Sequence, residues 1–221
     1  MKKIFDIFRR IFDIFRRNSI SKPYIISDSL LDNAKLYTTP KEIESFEEIE
    51  KPYSFFTESD KLQIPKVGTS LNSNIYNYNE NIVGFQKEQK NMFLRLINQN
   101  ILKHDIIVYR HVNSILDLRD YALEQGYSNE YLSSKIFVYT SLLRNNGLSG
   151  KYELIIRIPA GSHYLYTGIY SNMVGANSDK SEEDRRRDNV GEIILNIGSV
   201  FQIVKETQRG ECTIIEALLV K

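Results

Sequence analysis

The sequence predicts an α+β fold, with a helical N-terminal part followed by a mixed, mostly antiparallel β core. Apolar residues recur at helical spacing in residues 82–100 and 114–125. Short stretches rich in β-branched and aromatic residues, separated by turn residues, dominate from residue 135 onward. Fourteen Tyr and eleven Phe without a Trp agree with an aromatic, strand-rich core. Helices that precede a run of strands are typical of the α+β class.

Length and composition exclude several kinds of protein. A chain of 221 residues accommodates one substantial domain with extra segments. A net charge of +1 gives no support for nucleic-acid binding through a large basic surface. Cys212 is the single cysteine, which excludes an intramolecular disulfide and a cysteine-built zinc site, and the three histidines show no metal-ligand spacing. No metal is therefore expected, and no apolar stretch approaches the about 20 residues of a membrane span.

Residues 1–18 contain a duplicated heptad, IFDIFRR at 4–10 and again at 11–17. On a helix the Ile and Phe side chains cover about half of the circumference, and the Asp and Arg side chains cover the rest. The sequence predicts an amphipathic helix that lies on an anionic membrane, pairs with a second copy, or docks on its own domain. Its recurring charges are unlike a secretory signal. We expect a cytoplasmic protein, one peripheral to a membrane, or one delivered into a host cell.

Residues 19–67 are predicted to form an irregular and partly helical segment ahead of the main body. Residues 39–51 are typical of a short helix, because Thr39 can cap its first turn. Residues 52–68 are predicted to form a turn-rich connection. The main domain is predicted to comprise residues 68–221.

The main body begins with the two helices and then continues mostly as strands. The helix at 114–125 is expected to end before Gly126. A polar loop at 171–189 interrupts the later part of the chain. The first predicted strand comprises Ile106 to Tyr109 and carries Arg110, and the others lie, in chain order, at 135–143, 152–159, 164–170, 192–197, 199–204 and 212–220.

The first predicted strand carries a charged residue, Arg110, after a run of residues that suit burial. Ile106 to Tyr109 suit a buried strand, yet Arg110 follows them directly. Alternate residues of a strand face opposite sides, so Arg110 fits an edge or surface position. A guanidinium that binds a phosphate is the alternative. Composition alone leaves both interpretations open.

Three stretches carry polar residues in a characteristic order. VYRHV contains Arg110, FVYTSLLRNN contains Thr140 and Ser141, and GEIILNIGSVFQIV contains Glu192. This ordered set resembles the arginine, serine-threonine-serine and glutamate motifs of bacterial mono-ADP-ribosyltransferases. That family includes the binary actin-modifying toxins and the Rho-modifying exoenzymes. The resemblance covers roughly residues 70–221 and implies a β core of the ADP-ribosyltransferase type.

The resemblance implies that NAD is a substrate, and it suggests roles for five residues. Arg110 would hold the NAD pyrophosphate through charge-assisted hydrogen bonds, with the His111 backbone near the nicotinamide amide. Glu192 would orient the ribose and stabilise the positive charge that develops when the nicotinamide–ribose bond breaks. Ser141, as part of the catalytic motif, and Thr140 would brace the site and keep the strands in register.

Four further residues are candidates for cofactor contacts. Tyr166 or Tyr170 would stack on nicotinamide, as aromatic residues of the corresponding loop do in the family; a plain core tyrosine is the alternative for each. Arg144 and Asn145 follow the serine motif and could approach the cofactor. A turn ahead of Gly147 explains that pair equally well.

The sequence departs from the family pattern at two positions. Tyr139 occupies the place of the first serine, where a phenol either donates a hydrogen bond or crowds the site. Val190 stands two residues before Glu192, in the place of the family's target-orienting residue. Because Val190 can neither abstract a proton nor hold an amide, neither the arginine-modifying nor the asparagine-modifying assignment transfers. The loop could supply a substitute, such as Asp188, Glu183 or Asn189, although such loops are usually just solvated.

Three functions therefore stay open. The leading prediction is a mono-ADP-ribosyltransferase that releases nicotinamide and modifies a macromolecular acceptor, expected to be a protein. The second is an NAD glycohydrolase on the same fold, with water as the acceptor. The third is a catalytically degenerate, NAD-binding-like interaction protein. A toxin or effector acting on a host and an enzyme acting in its own cell have the same sequence features.

Overall fold

The computed structural model describes residues 56–64, 69–78, 81–103, 105–142, 144, 149–167 and 191–221. The predicted helices at 1–18 and 39–51 and the polar loop at 171–189 lie outside these ranges. Within them, no helix is both long enough and apolar enough to cross a membrane.

The helical part precedes most of the sheet, as predicted. The helices within the described ranges are α1 (Glu58–Gln63), α2 (Thr69–Tyr78), α3 (Phe85–Gln99) and α4 (Leu116–Glu124). The prediction of a turn-rich connection at 52–68 was wrong for α1. Its N-terminus carries a capping box, in which the Asp60 amide donates to Thr57 Oγ1 at 3.1 Å and the Thr57 amide donates to Asp60 Oδ2 at 2.9 Å. A helix of 6 residues is too short for its apolar positions to repeat, so the sequence shows no helical periodicity there.

The strands form one mixed, mostly antiparallel sheet, which confirms the predicted α+β class. Its order is β2-β7-β8-β4-β1-β3-β6-β5. β4 and β8 are parallel, and the other neighbouring pairs are antiparallel. The strands are β1 (Ile106–Val112), β2 (Tyr131–Ser133), β3 (Val138–Ser141), β4 (Tyr152–Ile158), β5 (Leu165–Tyr166), β6 (Glu192–Leu195), β7 (Val200–Arg209) and β8 (Cys212–Leu219).

Several predicted strands differ in length from the observed ones, and two of these differences have a clear cause in the structure. The stretch predicted at 135–143 pairs only as β3, because the chain before it is held by a local turn in which Ser134 Oγ donates to the Ile136 carbonyl. The stretch predicted at 199–204 extends to Arg209, well past its apolar residues. That extension is polar and exposed because it forms the outer part of a hairpin with β8. β2, which has only three residues, was not predicted.

β1 and β3 join the two parts of the sheet, and one core cluster is shared by both parts. β1 and β3 meet at one register pair, Tyr109 opposite Ser141, whereas β1 pairs with β4 along its full length. One core cluster joins Val108 and Ile215 from the first five strands of the order with Ile193 from the last three. Since side chains from both halves share this core, we infer that the halves fold toward each other about the β1–β3 junction.

A second core lies between the helices and the strands β3, β6 and β5. It joins Leu71 of α2 and Leu96 of α3 with Phe137, Leu165 and Ile194. Burial of apolar side chains is the main stabilising contribution here, at about 25 cal/mol per Å² removed from water. The helices therefore cover one face of the strands that carry Tyr139, Ser141 and Glu192.

The described residues of the segment before residue 68 pack onto this same body. Phe56 and Ile64 belong to the second core. Arg95 of α3 donates to Asp60 at 2.5 Å. Burial raises the pKa of Asp60, but the hydrogen bonds from Arg95 and Thr57 outweigh it and hold that pKa below its usual value. The domain boundary near residue 68 stays a prediction.

Candidate active site

Arg110 lies on β1 and reaches across to β3. Its Nη1 donates to the Tyr139 carbonyl of β3 at 3.1 Å. Its Nε is buried and has no hydrogen-bond partner. Burial lowers the pKa of Arg110 and the nearby Tyr139 raises it, yet a guanidinium stays charged at physiological pH. A charged donor with an unpaired N–H suits an anionic phosphate, so the residue type fits the pyrophosphate contact, which stays a prediction.

Glu192 begins β6 and is buried, with 2% of its surface exposed. The residue before it, Gly191, has a φ of 64°, and a Cβ there would lie 2.8 Å from the Leu142 Cβ. Only glycine suits that turn, because a side chain would be strained by its backbone and would clash with its neighbour. The Leu142 amide donates to the Gly191 carbonyl at 2.9 Å. The chain therefore enters β6 in one conformation and presents Glu192 at its first position.

Thr167, which follows β5, holds the Glu192 carboxylate. Its Oγ1 donates to Glu192 Oε1 at 2.6 Å, and its amide donates to the Glu192 carbonyl at 3.1 Å. Thr167 is fully buried. Sequence analysis missed this residue, because its contact depends on the β5–β6 register, in which Tyr166 stands opposite Ile193. The only sequence signal was a hydroxyl residue at the end of a short strand.

Tyr139 stands between Arg110 and Glu192. Its Oη is buried without a hydrogen-bond partner. Burial, reinforced by the negative charge of Glu192, raises the pKa of Tyr139 well above its usual range, and the charge of Arg110 only partly opposes this. The phenol therefore stays neutral at physiological pH and does not act as a proton acceptor. The guanidinium and the carboxylate share this region, because Arg110 donates to the Tyr139 carbonyl and β6 pairs with β3 so that Ser141 stands opposite Glu192.

Removing the Tyr139 hydroxyl is expected to leave the fold intact or slightly more stable. An unsatisfied buried polar group costs about 1–3 kcal/mol, so Tyr139→Phe should raise the free energy of unfolding by up to about 1 kcal/mol. Chemical denaturation of the two proteins measures this difference. A loss of more than about 1 kcal/mol would show that the hydroxyl has a stabilising partner.

Thr140 and Ser141 hold the strands of the site together. Thr140 Oγ1 donates to the Ile193 carbonyl of β6 at 2.8 Å, which agrees with its predicted bracing role. Ser141 is buried and stands opposite Glu192 on one side and Tyr109 on the other. Ser141 thus joins the strand of Arg110 to the strand of Glu192, whereas the side chain of Thr140 is engaged with the backbone.

Arg144 and His111 meet an acidic residue that sequence analysis missed. Arg144 donates twice to the Glu153 carboxylate, at 2.6 and 2.9 Å, and His111 Nε2 lies 3.9 Å from the same carboxylate. The hydrogen bonds from Arg144 lower the pKa of Glu153, while burial raises it and the charges of Arg144, His111 and Arg209 lower it further. The predicted contacts of Arg144 and of the His111 backbone with a cofactor stay predictions. The signal for Glu153 was an acidic residue within an apolar strand.

The remaining candidates divide between the core and the chain outside the described ranges. Tyr166 is 0% exposed and belongs to the core shared by both parts of the sheet, a placement that favours the core alternative; its stacking on nicotinamide stays a prediction. Asn145, Tyr170 and Val190 lie outside the described residues. The structure thus brings Arg110, Tyr139, Ser141 and Glu192 to one region.

Solved structures of bacterial toxins are similar to this fold. Plx2a, an ADP-ribosyltransferase toxin from Paenibacillus larvae, has a TM-score of 0.63 and 17% identity, over 81% of this chain and 94% of its own. C3stau2 from S. aureus, solved with NAD, has a TM-score of 0.58 and 15% identity, over 84% of this chain and 97% of its own. The enzymatic component C2-I of the C2-toxin from Clostridium botulinum has a TM-score of 0.56 and 16% identity, over 80% of this chain and 47% of its own.

These similarities confirm the fold that the sequence resemblance implied, which is the fold of bacterial ADP-ribosyltransferase toxins. No protein-family model and no curated protein sequence matches this chain. At such identities the likeness establishes the fold.

Proposed function

We propose that this protein is a mono-ADP-ribosyltransferase that uses NAD and modifies a macromolecule, for which a protein is the class we favour. The observation that carries the proposal is that Arg110 and Glu192 flank β3: Arg110 donates to the Tyr139 carbonyl, and Glu192 stands opposite Ser141 in register. A fixed cation suits the pyrophosphate, and a fixed carboxylate suits the developing positive charge on the ribose. The likeness to ADP-ribosyltransferase toxins, one of them solved with NAD, supports the same activity.

In the proposed reaction the bond between the nicotinamide nitrogen and the anomeric carbon breaks, and its electron pair leaves with nicotinamide. Glu192 stabilises the positive charge that grows on the ribose, and Arg110 holds the pyrophosphate so that the anomeric carbon stays near this carboxylate. A nucleophile of the acceptor then bonds to that carbon and loses its proton. Tyr139, being neutral, does not take that proton.

One sequence observation favours a second candidate function, NAD hydrolysis. Val190 lacks the polar group with which the family orients its target, and hydrolysis does not need that group because water is the acceptor. The third possibility, an NAD-binding protein without turnover, rests on Tyr139, whose bulk replaces a serine of the resembled motif. Each of the three functions gives a different product pattern from NAD.

The deciding experiment incubates the purified full chain with NAD labelled in its adenylate phosphate, with and without cell lysate. We expect nicotinamide release together with label on a lysate protein. Free ADP-ribose without labelled macromolecule would instead identify a hydrolase. Binding without nicotinamide release would overturn both enzymatic assignments. A parallel reaction with Glu192→Gln controls for NAD-consuming enzymes of the lysate.

We also propose that residues 4–17 bring the protein to an anionic membrane, since their duplicated heptad has one apolar face and a net basic polar face. The full chain is expected to float with vesicles that contain phosphatidylserine and not with phosphatidylcholine vesicles. Removal of residues 1–18 should abolish flotation. Equal flotation of the shortened chain would contradict this role, and concentration-dependent sedimentation of the full chain alone would favour self-association.

A further inference from the structure

We propose that Thr167 is a positioning residue that fixes the Glu192 carboxylate for the reaction. This inference rests on the proposed function and deepens it. Its basis is the hydrogen bond from Thr167 Oγ1 to Glu192 Oε1 at 2.6 Å, between two side chains that are both at least nine-tenths buried.

The backbone makes this contact rigid. The Thr167 amide donates to the Glu192 carbonyl at 3.1 Å, which extends the β5–β6 pairing by one residue. The same two residues are thus joined through both the main chain and the side chains. On the other side of β6, Ser141 stands opposite Glu192 in register. Glu192 therefore lies on a strand that is paired on both sides, and Thr167 restrains the carboxylate itself.

Tyr139 does not perform this task. A bond from its hydroxyl to Glu192 would satisfy the phenol, but Tyr139 Oη is buried without a hydrogen-bond partner. The Glu192 carboxylate instead accepts a hydrogen bond from Thr167, a hydroxyl residue at the end of β5.

Thr167 is expected to act by holding the Glu192 carboxylate in one orientation. A hydrogen bond from a neutral hydroxyl to a carboxylate is stronger than a hydrogen bond between two neutral groups, and it favours one orientation of the carboxylate. A carboxylate that stabilises a transition-state charge must be in place before the charge appears, so loss of its restraint lowers kcat more than it weakens substrate binding. Thr167 is not expected to touch NAD, and KM is therefore the parameter that it should leave nearly unchanged.

The test compares nicotinamide release by wild-type protein, Thr167→Val and Thr167→Ser. Valine keeps the shape of threonine and loses the hydroxyl, whereas serine keeps the hydroxyl. We expect Thr167→Val to lower kcat about 10- to 100-fold, with KM for NAD changed less than about threefold. Thr167→Ser should retain kcat within about threefold. Should the valine variant not fold, Thr167→Ala replaces it in the same comparison.

Ser199→Ala is the matched control. Ser199 is buried, and its Oγ donates to the Asn196 carbonyl at 2.7 Å, in the turn between β6 and β7. Its loss removes one buried hydroxyl bond near the same strand without touching Glu192, so kcat should stay within about twofold of wild type. Thermal unfolding of each variant monitors the stability.

The outcomes separate the two proposals. An active wild-type protein whose kcat is unchanged in folded Thr167→Val overturns the positioning role and leaves the proposed function standing. Equal losses in the valine and serine variants also overturn it, because they show that the hydroxyl is not what matters. A wild-type protein that releases no nicotinamide overturns the proposed function, and the positioning role with it.

Discussion

Glu192→Gln is expected to lower nicotinamide release from NAD by about a hundredfold or more. Glutamine keeps the size of glutamate, and its amide oxygen can still accept the hydrogen bond from Thr167 Oγ1. What is lost is the negative charge that would stabilise the ribose cation, and such transition-state contacts are worth about 3–4 kcal/mol. The effect should appear in kcat, with KM for NAD nearly constant. Steady-state nicotinamide release over a range of NAD concentrations measures both parameters.

Glu216→Gln provides the control for this variant. Glu216 is also a strand glutamate of the same sheet, but its side chain is 47% exposed and pairs with Lys205 at 3.8 Å. Its kcat should match wild type, because an exposed ion pair contributes at most about 1 kcal/mol to stability and lies outside the proposed site. Full activity in Glu192→Gln would show that the carboxylate does not serve the reaction.

Arg110→Ala is expected to lower kcat/KM for NAD about 30- to 100-fold, mainly by raising KM. A guanidinium that binds a pyrophosphate contributes about 2–3 kcal/mol through charge-assisted hydrogen bonds. Arg110→Lys keeps the charge but loses the fork of donors, so an intermediate loss is expected. The same kinetic measurement, combined with equilibrium binding of NAD to Glu192→Gln and to the double variant, separates binding from turnover.

The fold should tolerate the loss of Arg110. The variant gives up the hydrogen bond to the Tyr139 carbonyl, but it also removes the cost of burying a charge whose Nε has no partner. The free energy of unfolding is therefore expected to change by less than about 1 kcal/mol. Arg119→Ala, which removes a guanidinium paired with Glu206 on the periphery, should retain wild-type KM. Unchanged KM in folded Arg110→Ala would contradict the pyrophosphate contact.

Local sequence patterns alone were sufficient to predict two of the helices and to suggest the fold. The periods of the apolar residues predicted α3 and α4 within a few residues, because helices of two or more turns repeat their buried positions several times. The ordered appearance of Arg110, Ser141 and Glu192 was sufficient to suggest the fold. The resemblance assigned Thr140 a bracing role, and its bond to the Ile193 carbonyl agrees with that role.

The sequence by itself determined the α+β class and the residues that distinguish this site, including the substitution of a serine by Tyr139. Only the tertiary structure showed that Thr167 holds Glu192 and that Glu153 pairs with Arg144. Thr167 and Glu192 are 25 residues apart and meet through the β5–β6 register, whereas Arg144 follows β3 and reaches Glu153 of β4, nine residues away. Neither contact leaves a periodic signal in the chain, because each depends on how separate segments pair and not on a repeat within one of them.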